Sequence, residues 1–408
     1  MILLNIKDKT IGFLDKIILF CIYATAFFLP IAQGIIESVS ILAIVCFIVK
    51  SILQRKVITK TAINIGIFAY ILVCFVSIFN STSVAISTRT FFCKLLQNLL
   101  FFFVVADTLN TKQRVKNLIY IFCVSSFVLG VDGVYQFFTH KDFIRHRKDF
   151  GIPRIYATFP SPNAFVCYLY MVLSLLLMSF FSKEYKKIIR FLFIVVSALL
   201  FICIILTVSR GGWLAFLSMI LFMSVWSAPL RIFFMGAVLI IIFTHQFYFP
   251  YLKERISNFF VFADNSSSDR NVIWDTALRM FKHKPWIGVG LGTFMLNFNQ
   301  FVVGVYQYGV PYAHNCYLQI AAETGVIGLA SFLSILVLFF AKAIELLSAK
   351  EKGFYWYILL ASASAILGYC IQMTVDTIFY ALDLSLLFWF MLGIGCSAIK
   401  QIELESVK

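Results

Sequence analysis

Apolar runs about 20 residues long recur from one end of this chain to the other, the length an α-helix needs to cross the hydrocarbon core of a bilayer. Twelve candidate spans can be marked: about 14–33, 36–54, 62–80, 90–107, 115–138, 163–182, 187–207, 211–227, 230–249, 316–342, 354–375 and 379–398. Inside lipid every backbone N–H and C=O must be satisfied within the protein, so runs of this kind can only be helices. The expected fold is therefore all-α, a single polytopic membrane domain over residues 1–408. Composition agrees: 61% of the residues are hydrophobic and 13% charged, against about 25% charged in soluble domains. Ala24-Thr25-Ala26 has the small-residue pattern of a signal-peptidase site, but the apolar run continues through Phe27-Phe28-Leu29, so a retained first span is expected.

The formal net charge is +15. In a soluble protein that would suggest nucleic acid; here no nucleic-acid partner is expected, because Lys and Arg mark cytoplasmic loops. Lys7 and Lys9 precede the first span. Lys50, Arg55, Lys56 and Lys60 follow the second; Lys112, Arg114 and Lys116 the fourth; Lys183, Lys186, Lys187 and Arg190 the sixth; Arg231 the eighth; Lys342, Lys350 and Lys352 the tenth; Lys400 the last. These are alternate loops, which puts both termini in the cytoplasm and suits a bacterial inner membrane.

Two loops then face the opposite side, which is the periplasm if the cell is Gram-negative. The smaller, 139–162, is basic, with Lys141, Arg145, Arg147, Lys148 and Arg154 against Asp142 and Asp149. The larger, 250–313, contains a predicted helix over 270–283, with Asp269 as N-cap, Pro285 beyond its end, and Ile273, Ala277, Leu278 and Phe281 at helical spacing. It would lie on the membrane surface or on the bundle.

Several polar residues stand out against this background. The basic loop breaks the charge rule; either a short loop tolerates it, or it attracts an anion such as a phosphate or pyrophosphate. Arg210 opens the run Ser209-Arg210-Gly211-Gly212-Trp213, which reads either as an interfacial anchor or as an anion cradle where glycines leave N–H groups open at a helix start. Arg270 is either a solvated first-turn charge or, being unfavourable against the helix dipole, a second phosphate contact. His314 sits at the mouth of a span beside Asn315, and an imidazole there is either structural or a base for a hydroxyl nucleophile. Glu323 lies inside a span, where a carboxylate faces a cavity or a partner. Asp376 and Asp383 are turn residues, either solvated or paired with the arginines.

The ten cysteines contain no C-x-x-C; nine lie in or at apolar runs and read as small buried hydrophobes, while Cys316 sits alone near a predicted loop. There is no Walker loop, no H-E-x-x-H, no G-x-S-x-G and no Asp-x-Asp in the outward loops. No metal and no cofactor is expected. Nucleotides are not supplied outside the cytoplasm, so energy would come from an activated lipid-linked donor or an ion gradient.

Ser209-Arg210-Gly211-Gly212-Trp213-Leu214, then Arg270 to Phe294 with Pro285-Trp286-Ile287-Gly288-Val289-Gly290-Leu291-Gly292, then His314-Asn315 through Glu323-Thr324-Gly325-Val326-Ile327-Gly328-Leu329, together resemble the O-antigen ligase and polymerase superfamily. Arg154 with Thr158-Phe159-Pro160-Ser161-Pro162-Asn163 resembles its preceding block, and the likeness covers most of 150–395. The resemblance implies transfer of a glycan from undecaprenyl pyrophosphate to a hydroxyl at the periplasmic face. It implies His314 as general base, Arg210 and Arg270 on the pyrophosphate, and Arg154 as a further contact, with Asn315, Glu323 and Asn163 in support. For a ligase the acceptor is lipid A–core; for a polymerase it is another lipid-linked glycan. One dominant late outer loop favours the ligase. A transporter or flippase of an anionic lipid or solute is the rival of a different class; it would carry ionisable residues in several spans and inverted repeats, where this chain has mainly Glu37, Asp132 and Glu323 and no repeat.

Overall fold

The computed structural model describes residues 2–56, 59–148, 154–247, 265–303, 312–348 and 352–406. Asp149 and the 250–264 and 304–311 parts of the larger outer loop lie outside the described residues. The helices are α1 (Ile2–Phe28), α2 (Gln33–Gln54), α3 (Asn64–Phe79), α4 (Val84–Thr90), α5 (Gln97–Thr108), α6 (Lys112–Thr139), α7 (Pro162–Phe181), α8 (Lys187–Leu206), α9 (Arg210–Trp226), α10 (Ala228–Phe247), α11 (Asn265–His283), α12 (Phe294–Phe301), α13 (Cys316–Leu347), α14 (Phe354–Gln372) and α15 (Leu382–Ser406). A π-helical turn, Phe91–Leu96, joins α4 to α5. Each of the twelve expected apolar runs is helical. Among the described residues nine helices are long and apolar enough to cross a membrane, while Asn64–Phe79 and Arg210–Trp226 are apolar but shorter.

The bundle is arranged as lipid requires. Helices α7, α14 and α15 form its centre and bury nearly every side chain from Ala164 to Ser179, Tyr355 to Gln372 and Asp383 to Ile399. Outer helices turn large apolar side chains outward: Phe20, Phe79, Phe138 and Ile188 are all more than half exposed. Such a surface is stable against acyl chains, not water. Small residues allow close helix approach at the centre, where a β-carbon on Gly393 would sit 2.9 Å from Val105 and one on Gly368 3.0 Å from the Ala215 carbonyl.

The two ends of the bundle differ. At one end charges are cross-linked: Asp15 pairs with Lys50 and Arg114, Lys56 with Asp107, Lys112 and Lys116 with Glu184, and Lys342 with Glu345 and Glu403. The two lysines hold the Glu184 carboxyl below its usual range. These are the loops expected to be cytoplasmic, gathered on one side.

At the other end the remaining loops are tied together by backbone. Thr158 donates to the Pro30 carbonyl and Arg145 to that of Ile31 (2.6 Å). Ile155 N–H bonds Leu206 O at 3.3 Å, Thr82 N–H bonds Val289 O at 3.0 Å, and Cys316 N–H bonds Met373 O at 2.8 Å.

Helix α11 starts at Asn265, earlier than the expected 270, so Asp269 lies inside it and is not its N-cap. Asn265-Ser266-Ser267-Ser268 supplies one more turn at its start. Its buried face is Ile273, Ala277 and Met280, packed with Val289, Phe294, Phe298 and Ala313, while Leu278 is exposed. The helix therefore docks on the bundle.

Candidate active site

The site assembles where α7, α9, α13 and the α14–α15 connection meet at the backbone-tied end. Helix α7 starts with Ser161 accepting from the Ala164 N–H and with Pro162 in its first turn, a favoured start. That fixes Asn163. Its side-chain oxygen accepts from Ser209 Oγ (2.8 Å) and from Arg154 (3.5 Å), and its carbonyl accepts from Gln372 Nε2 (2.9 Å). Arg154 also donates through Nε to the Thr207 carbonyl at 2.9 Å. Asn163 thus joins the blocks carrying Arg154 and Arg210 to the end of α14.

Arg210 is the first residue of α9 and is partly buried. Ser209 caps that helix by accepting from the Gly212 N–H at 3.2 Å. The glycines after Arg210 make room for protein rather than ligand: a β-carbon would lie 2.8 Å from Val375 at Gly211 and 2.2 Å from Val166 at Gly212. Their contribution is to let the start of α9 pack against Val166 of α7 and against Val375 in the 373–377 turn. Trp213 is buried and donates to Ile204 O at 2.9 Å, so it is a packing residue and not a belt anchor.

That same turn faces His314. Asp376 Oδ1 is 3.9 Å from His314 Nδ1, and Asp376 also accepts from the Thr377 N–H at 2.8 Å. The pair is too long for a hydrogen bond but lies within ion-pair distance. Nδ1 itself makes no hydrogen bond among the described residues, although the side chain is 40% exposed. Asp376 is neither a solvated turn residue nor an arginine partner within ion-pair distance among the described residues. Asp383, also buried, accepts from the Leu384 N–H.

His314 has φ 49°, in the left-handed region that β-carbon-bearing residues avoid. Val208, two residues before Arg210, has φ 49°, and Ala157, three after Arg154, has φ 46°. A β-branched residue there is a marked outlier. Strain of this kind collects at functional sites, and here it flanks three of the residues picked out from sequence.

The basic loop divides its labour. Buried Asp142 accepts from the Arg145 and Arg147 N–H groups and shapes the turn. Arg145 is spent on the Ile31 carbonyl, and its burial pulls its pKa below the usual value. Arg147, Lys148 and Arg154, with Tyr156 and the Pro160–Pro162 start of α7, line an open cleft of about 500 Å³.

The supporting residues have structural duties. Asn315 caps α13 by accepting from the Leu318 N–H at 3.1 Å. The Glu323 carboxylate accepts from the Gly292 N–H (2.9 Å), the Phe294 N–H (3.3 Å), Gln319 Nε2 (3.1 Å) and the Tyr380 hydroxyl (3.3 Å). It holds the 285–294 segment against α13 and is not directed at the arginines. Around it the two segments are joined by backbone, with Val289 N–H to Ala322 O, Gly290 N–H to Glu323 O and Val326 N–H to Pro285 O at 3.0, 2.9 and 2.8 Å. Arg270 is partly buried one turn before Ile273, within the second turn of α11, beyond the first turn where the dipole penalty acts. Ile273 shares its apolar cluster with Ala313, the neighbour of His314.

Sequence reasoning did not single out Gln372, and read Asp376 only as a turn residue or an arginine partner, not as a neighbour of His314. Lys94 and Asn98 were also passed over. Their span reads as apolar, and the one signal was a lysine inside it.

An all-α bundle with an apolar exterior and nine helices, among the described residues, long and apolar enough to cross a membrane defines a polytopic membrane protein. Residues 195–333 match the family model described as O-Antigen ligase, about a third of the chain, and this supports the O-antigen ligase superfamily. The matched stretch runs from α8 into α13 and includes Arg210, Arg270, His314 and Glu323; Arg154, Asn163 and Asp376 lie outside it. No curated protein matches the chain. The family supports glycosyl transfer of the ligase or polymerase type.

Proposed function

We propose that this protein is an O-antigen ligase-type glycosyltransferase of the bacterial inner membrane. It moves a glycan from undecaprenyl pyrophosphate to a hydroxyl of lipid A–core on the periplasmic side. One observation carries the reading: His314, backed by Asp376, opens onto the same end of the bundle as Arg210 and the Arg147–Lys148–Arg154 cleft, and the residues between them are linked through Asn163, Gln372 and the 373–377 turn.

The reaction follows from these groups. The acceptor oxygen bonds to the anomeric carbon of the donor sugar, and the bond from that carbon to the diphosphate oxygen breaks. The electron pair leaves with the diphosphate, and the hydroxyl proton passes to His314. The Asp376 carboxylate stabilises the imidazolium so formed. The departing diphosphate gains negative charge, which Arg210, Arg270 and Arg154 offset; in a partly desolvated mouth guanidinium groups do this more effectively than in water. The lipid tail of the donor stays in the bilayer beside the outward apolar faces. Both termini then lie in the cytoplasm, at the salt-bridged end.

The superfamily also contains polymerases that join lipid-linked repeats, and the two activities separate by genetics. Deleting the gene and resolving the lipopolysaccharide should leave long glycan on the carrier lipid and bare core. Core carrying a single repeat would identify a polymerase instead, and an unchanged ladder would defeat both readings.

A further inference from the structure

A second cavity, of about 120 Å³, lies beside the proposed site, between α3, the π-helical turn, the 291–295 segment, α13 and α15. One water needs about 10–15 Å³ on such a measure, so there is room for several hydroxyl-sized groups. Lys94 stands at its rim inside the candidate span Val84–Thr108. A cation at that depth marks function by default, and π-turns within α-helices recur at functional sites.

Two of the lining residues each carry a buried side-chain atom that makes no hydrogen bond among the described residues: the oxygen of Asn98, 4% exposed, and the indole N–H of Trp389, 0% exposed. One is an acceptor and the other a donor. An acyl chain would satisfy neither. A fully ionised phosphate only accepts, so it would satisfy Trp389 and oppose Asn98. A hydroxyl donates and accepts at once. Tyr312 and Tyr380 add aromatic faces, their centroids 5.9 Å apart. Tyr312 lies two residues before His314, and Tyr380 four after Asp376.

We propose that this cavity seats the sugar ring of the acceptor, with Asn98, Trp389 and Lys94 bonding its hydroxyls and the paired tyrosines forming an aromatic wall along one side. The attacking hydroxyl would then lie at the Tyr312 side of the cavity, the side whose chain leads to His314 two residues on. This assignment rests on the glycosyl-transfer reading above, which supplies the donor and the bond made.

The test uses the full-length protein in phosphatidylethanolamine–phosphatidylglycerol nanodiscs, with Trp389→Phe and Lys94→Gln compared to wild type. The exposed Lys94 position tolerates change if the buried one does not. Steady-state transfer is measured along with calorimetric binding of core oligosaccharide freed of lipid A. Each variant should raise the acceptor KM by about fivefold, the loss of one hydrogen bond, weaken oligosaccharide binding in step, and leave the donor KM within about twofold. An unchanged acceptor KM in both variants, with transfer intact, would overturn the sugar subsite and leave the transferase reading standing. Oligosaccharide binding lost in the variants of a protein that transfers no glycan would support the subsite and overturn the transferase reading. Wild-type protein that binds no oligosaccharide overturns the subsite.

Discussion

Gly325 and Trp286 meet backbone to backbone: a β-carbon on Gly325 would lie 2.2 Å from the Trp286 carbonyl oxygen. Gly325 has φ 71° and breaks α13 in two at that point. The break lets the 285–292 segment lie along the helix and bond to it, which is why two glycine-containing motifs far apart in sequence are needed together. Gly325→Ala combines a left-handed β-carbon with a clash against a peptide group, and should cost about 2–4 kcal/mol. A lowered melting temperature in detergent checks this; a wild-type melting curve would show that the junction yields.

Glu323 accepts two backbone N–H groups at the start of α12 and one from Gln319. Glu323→Gln keeps the shape but turns a donor toward donors. We expect about 1–3 kcal/mol lost, from backbone donors left unmet. Activity should fall with stability, since the same contacts hold the wall behind His314. Full stability in the variant would mean that another group caps the turn.

His314→Ala should lower transfer by about 10²–10⁴-fold, the usual worth of a general base, with membrane insertion unchanged. Asp376→Asn should lower it by roughly tenfold, because the carboxylate acts on the imidazole through charge across 3.9 Å. Lipopolysaccharide ladders from complemented deletion strains give the readout. A normal ladder with His314→Ala would remove the base from the mechanism.

Arg210→Lys keeps the charge and loses the planar fork. A bidentate contact to the diphosphate would not survive that change, so activity should be largely lost. Arg154→Gln should have a smaller effect on kcat and a larger one on donor KM. Wild-type kinetics for both variants would place the diphosphate elsewhere.

Transfer should persist in EDTA, because in this mechanism guanidinium groups compensate the leaving charge. Activity lost in chelator and restored by a divalent cation would require a different chemistry at the mouth.

Much of the scaffold was legible in the sequence. A span must satisfy its backbone inside itself and show apolar groups to lipid, which is a local property, so the helix α7 could be marked from Ala164–Ser179 without knowing its neighbours. Arg154, Arg210 and His314 could be singled out as candidates because polar groups are sparse at the mouths of apolar helices. The roles of the glycines were not. Gly211 and Gly212 had the look of an anion cradle, yet what they face is Val375 and Val166. Leu278 fitted the helical spacing of a buried face and is exposed, because α11 docks through Met280 instead.

Sequence alone thus determined the all-helical membrane scaffold and singled out the polar residues proposed for the site, since hydropathy and local spacing need no long-range contact. Tertiary structure decided which groups share a site: the pairing of His314 with Asp376 spans 62 positions and that of Ser209 with Asn163 spans 46. Such convergence depends on how helices pack, through close contacts that no short stretch of chain encodes.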